Sequence, residues 1–134
     1  MKETKNYPEE AQQLIAQKSG LILDARALQD MGKFDEARAR FLKAAEIEEQ
    51  ITALLDEAND HEDATLNLVS AASCYKMAGY YTKALTLFQE AMTRDAMPKE
   101  IRKKIEILSS QLWKDFEPKF RWHFREVLEK DNKV

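Results

Sequence analysis

The sequence predicts an all-α protein of antiparallel helical hairpins closed by C-terminal capping helices. Three observations carry this. Apolar residues recur at three- and four-residue intervals along almost the whole chain. Only three glycines and three prolines interrupt 134 residues, too few for the tight turns of a sheet-rich fold. One short pattern, a glycine followed at fixed offsets by an aromatic, two alanines and a phenylalanine, occurs twice in phase.

The elements follow in order. Tyr7-Pro8-Glu9-Glu10 opens a first helix over 8–31. Proline at the first helical position loses no hydrogen bond, and the carboxylates suit the positive end of the helix dipole. Leu14, Ile15, Leu21, Ile22, Ala25, Leu28 and Met31 give it a helical period. Gly20 costs up to about 1 kcal/mol relative to alanine inside a helix, and marks either a break or a close helix contact. Gly32 ends this helix. A second helix over 34–57 buries Ala37, Phe41, Ala44, Ala45, Ile47 and Ile51, and the polar run from Asp56 to Asp63 supplies a turn.

A third helix over 63–78 carries Leu66, Leu68, Val69, Ala72, Tyr75 and Met77, and Gly79 ends it. The fourth, over 81–95, presents Ala84, Leu87, Phe88, Ala91 and Met92. Pro98 starts a fifth over 98–113, whose stripe of Ile101, Ile105, Leu108 and Leu112 caps the second hairpin. Pro118 starts a sixth, aromatic helix over 117–130, with Phe116, Phe120, Phe124 and Val127 on one side and Trp122 on the other. All six belong to one domain, a size that buries roughly 65–70% of the unfolded surface.

The repeated pattern sets Gly32, Phe34, Ala37, Phe41 and Ala44 against Gly79, Tyr81, Ala84, Phe88 and Ala91. Glycine accepts the left-handed turn between antiparallel helices. The aromatic wedges into the hairpin, the alanines let helix backbones approach, and phenylalanine fills the space between hairpins. On these residues the chain resembles the tetratricopeptide repeat family, with repeats at about 18–51 and 65–98. Leu21, Ala25 and Leu28 precede Gly32, and Leu68, Ala71, Ala72 and Tyr75 precede Gly79, as that family's first helices do. The departures are leucine in place of the family's tryptophan, Asp24 where leucine is preferred, and Glu49 and Ala96 where proline closes a repeat. Gly32 and Gly79 also lie 47 positions apart, against about 34 in a regular array. A bundle like the three-helix MIT domain also fits the first part.

The resemblance implies a superhelical array whose first helices line a groove for another protein's peptide or amphipathic helix. The matching positions are Ser19, Ile22, Arg26, Gln29, Leu66, Val69, Ser73 and Lys76. Some family members clamp a terminal carboxylate with Lys or Arg and Asn. This chain has Ile22, Arg26 and Ser70 there, so that clamp is largely missing. Trp122, flanked by Arg121 and Arg125, is a further interface candidate, since Trp and Arg are enriched at contact hot spots. The rival reading is a structural module that forms a homodimer through the aromatic C-terminal helix.

Other classes have little support. The net charge of −3 offers no general attraction to nucleic acid, and Lys99, Arg102, Lys103 and Lys104 read as a solvated helix face. The single cysteine, Cys74, excludes an internal disulfide and reads as a small packed thiol. His61 and His123 carry no metal-ligand spacing. The acidic run at 56–63 lacks the central glycine of a calcium loop. No catalytic residue, metal or cofactor is expected. No leader and no bilayer-spanning run is expected either, since Met1 to Glu10 is polar, and the expected address is cytoplasmic.

Overall fold

The structure is a computed structural model that describes residues 7–112 and 114. Among them all regular structure is helical. Four helices run in sequence as α1 (Glu9–Asp30), α2 (Phe34–Glu57), α3 (His61–Met77) and α4 (Tyr81–Thr93). A fifth, α5, is described over 99–112. In turn, α1 packs against α2, α2 against α3 and α3 against α4. The expected helix over 117–130, with its Phe stripe and Trp122, lies outside the described residues. Among the described residues no helix is long and apolar enough to cross a membrane.

Three of the turns are chemically the same. After α1, the Gly32 amide donates to the Gln29 carbonyl (2.9 Å) and the Lys33 amide to the Leu28 carbonyl (2.8 Å). After α3, Gly79 and Tyr80 donate to Lys76 (3.0 Å) and Tyr75 (2.9 Å). After α2, Asn59 and Asp60 donate to Asp56 (3.0 Å) and Leu55 (2.9 Å). Each pair is a Schellman motif, which satisfies carbonyls the helix end leaves open. The middle residue must be left-handed, and φ is +76° at Gly32, +88° at Gly79 and +60° at Asn59. Asparagine tolerates that region better than other side-chain-bearing residues. The Tyr75 and Tyr80 rings meet edge-on at 6.4 Å, adding the apolar contact that often seals this motif.

Several expectations need correction. Phe34, the aromatic expected to wedge into the first hairpin, is 58% exposed. The polar run at 56–63 is not all turn. Asp56 and Glu57 finish α2, and α3 starts at His61, two residues ahead of 63, because the Asp60 carboxylate accepts from the Asp63 amide (3.3 Å) and caps the helix. Gly20 neither breaks α1 nor admits a close neighbour. The helix runs through it, and a Cβ there would meet nothing within 4 Å, so its propensity cost is absorbed by twenty-one other helical residues.

Alanines let the helices approach. Ala25, Ala44, Ala45, Ala64, Ala71, Ala72, Ala84 and Ala91 are all 0% exposed. Phe41 and Phe88, the paired phenylalanines of the repeat, are both buried. Phe88 belongs to the largest apolar cluster, which runs from Ala44 and Ala45 through Leu68 and Leu87 to Ile105 and Leu112. Thus α5 covers the second hairpin with its apolar stripe. Its basic face is not uniformly solvated: Arg102 donates through Nη1 to the Met92 carbonyl (2.8 Å) and satisfies the end of α4. A second tie crosses the far side, where Arg94 grips Asp56 through both Nη atoms at 3.0 Å. Those hydrogen bonds hold the Asp56 carboxyl below its ordinary value.

Candidate functional site

Because α1 and α3 each pack on α2, a groove opens between them with α2 as its floor. Its volume is about 290 Å³. Lys18, Ile22 and Arg26 line one wall at four-residue spacing along α1. Val69, Ser73 and Met77 line the other at the same spacing along α3. Phe41 and Glu48, seven residues apart on one stripe of α2, form the floor. A second hollow of about 230 Å³ continues toward the start of α1 and shares Lys18 and Ser70 with the first.

The structure brings four of the sequence candidates together in the groove: Ile22, Arg26, Val69 and Ser73. Leu66 lines the second hollow, beside Tyr7 and Ile15. Gln29 and Lys76 are half-buried and line neither. Ser19 is exposed on α1 and lines neither hollow, and its hydroxyl donates to the Ile15 carbonyl (2.9 Å). Trp122 lies outside the described residues.

The floor holds a group that the sequence reading missed. Glu48 is 1% exposed, and its Oε1 sits 3.1 Å from the Lys18 ammonium. Its Oε2 is buried and has no hydrogen-bond partner among the described residues. Nearby, Asn67 donates to the Glu48 carbonyl (2.5 Å) and to the Thr52 hydroxyl (3.0 Å). A buried charge is tolerated only when it is paired, and this one is half-paired. Burial accordingly pushes the Glu48 carboxyl above its ordinary value, although Lys18 and the neighbouring Asn67 amide pull the other way.

That imbalance has a measurable consequence. A carboxyl whose pKa is higher folded than unfolded binds its proton more tightly in the fold. The resulting stabilisation is complete below the unfolded value, near 4.5, and is lost as pH rises through the folded value. Glu48→Gln removes this titration. Urea unfolding from pH 4 to 7 is expected to show the wild type losing stability relative to Glu48→Gln as pH rises. Parallel profiles would mean that Glu48 does not titrate as a buried group.

Cys74 also borders the groove. It is buried, and burial together with the Glu48 charge pushes its thiol up to about 11. At neutral pH it is a thiol, without the thiolate that nucleophilic or ligand chemistry requires. His61 lies at the start of α3, where Nδ1 meets Asp56 Oδ1 at 3.0 Å. Among the described residues no three His, Cys, Asp or Glu side chains gather where they could hold a metal. The arrangement is that of a concave, mixed-polarity surface with one buried acceptor left open. Set against models of known families, curated proteins and solved structures, the chain matches none.

Proposed function

We propose that this chain is a protein-binding module of the tetratricopeptide type, an adaptor or assembly subunit with no catalytic role. Its groove between α1 and α3 takes a peptide or amphipathic helix from another protein. The observation that carries this is the groove itself, whose two walls present side chains at four-residue spacing, the spacing that interleaves with an incoming helix or extended segment. The repeated glycine turns support the family reading, since they generate the antiparallel hairpins on which such grooves depend. We read the address as cytoplasmic, in keeping with a free, buried thiol at Cys74 and a reducing compartment.

Affinity capture tests this. Tagged full chain is incubated with native lysate beside Val69→Glu, Ser73→Arg and a control, Gln89→Glu, which is exposed on α4 and outside the groove. Wild type and control should recover the same protein, and both groove variants should lose it while retaining wild-type helicity. Equal recovery by all four would show that binding, if any, lies elsewhere.

A further inference from the structure

The geometry points to a primary-amide anchor: the groove selects a partner segment that places an asparagine or glutamine side chain on the Lys18–Glu48 pair, with apolar neighbours on either side. This rests on the groove being the binding surface and adds what that surface reads.

The pair offers two unlike functions side by side. Among the described residues, Glu48 Oε2 is an acceptor without a donor. The Lys18 ammonium has three donors, and its contact with Glu48 Oε1 at 3.1 Å occupies one. A primary amide carries a donor nitrogen and an acceptor oxygen on one carbon. It can donate to Oε2 and accept from Lys18 together. Oε2 is itself covered, and the Lys18 side chain, 19% exposed, is the part that shifts aside to admit the amide.

Charge favours the amide over the other donors. The Lys18–Glu48 pair is already neutral, so a neutral donor satisfies Oε2 without bringing net charge into a desolvated site. An arginine or lysine anchor would bring a second cation beside Lys18, with Arg26 on the same wall. A carboxylate anchor would suit Lys18 but place like charge against Oε2. A hydroxyl satisfies Oε2 but fills the site with one atom. Ile22, Val69 and Phe41 around the pair supply the apolar contact for the anchor's neighbours.

The probe is a phage-displayed library of random twelve-residue peptides, panned against the full chain and counter-selected against Ser73→Arg, which fills the groove. Peptides that survive should share an Asn or Gln at one position flanked by apolar residues. Changing that residue to Asp or Leu in a synthetic copy should weaken binding at least tenfold, and Glu48→Leu in the protein should do the same to the unchanged peptide. The peptide substitutions do not depend on the variant protein folding. Groove-specific peptides anchored by Arg, Lys, Asp, Glu or a purely apolar residue would overturn the amide assignment and leave the groove reading standing. Peptides that bind Ser73→Arg equally well, or no selected peptide at all, would overturn both.

Discussion

Phe88→Ala lowers the stability of the fold by about 3–5 kcal/mol, the range for truncating a buried aromatic side chain. Phe88 is 1% exposed and stands where α4 meets the α2–α3 layer and the stripe of α5, among Leu68, Leu87, Ile105 and the small residues Ala44, Ala45 and Ala72. Alanines cannot swing into the space it leaves, and the helix backbones are already close, so the cavity stays largely open. With total stability on the order of 5–15 kcal/mol for a domain, the loss should move the melting temperature by roughly 10–20 °C. Urea unfolding followed by helical ellipticity measures it. A loss below about 1 kcal/mol would mean that α5 is not seated on the second hairpin.

Ala72→Leu is the converse experiment and is expected to cost about 1–3 kcal/mol through overpacking. Ala72 is 0% exposed, in the cluster that joins α2 to α3 through Ala44 and Ala45. Three added carbons there enter a cluster that is already filled. Ala53→Leu makes the same chemical change on the solvent side of α2, where Ala53 is exposed, and should stay within about 0.5 kcal/mol of wild type. The contrast between the two separates close helix approach from any general intolerance of leucine. Equal, small effects would show that the alanines are not spacing the helices.

Much of the fold is legible in the sequence because its punctuation is chemical. Gly32 and Gly79 declare their turns through residue type, and the matching Phe41 and Phe88 identify the two hairpins as one design. Asn59 makes the same turn with the same hydrogen bonds, yet it hides inside an acidic run, where asparagine looks like one more polar residue. The same run obscures the cap supplied by Asp60. Gly20 misleads in the other direction: residue type alone does not distinguish a glycine that a turn requires from one that an exposed helix face merely tolerates.

The groove walls could be read from the repeat, which placed Ile22, Arg26, Val69 and Ser73 on the inner faces of α1 and α3. The floor could not be read so directly. Glu48 belongs to the run Phe41, Ala44, Glu48, Ile51, Leu55, spaced at three and four, so a charged residue interrupts an otherwise apolar stripe. That interruption was the available signal. Its meaning needed Lys18, thirty residues earlier, because only tertiary packing brings the two within 3.1 Å.

The most direct measurement of groove binding is a methyl-resolved NMR titration of the full chain with a peptide selected as above. Ile22 and Val69 report on the two walls, while Leu85 and Met92 on α4 lie outside both hollows. Shifts concentrated at Ile22 and Val69, saturating together and absent in Ser73→Arg, are the expected result. Shifts at Leu85 and Met92 with Ile22 and Val69 unmoved would contradict it.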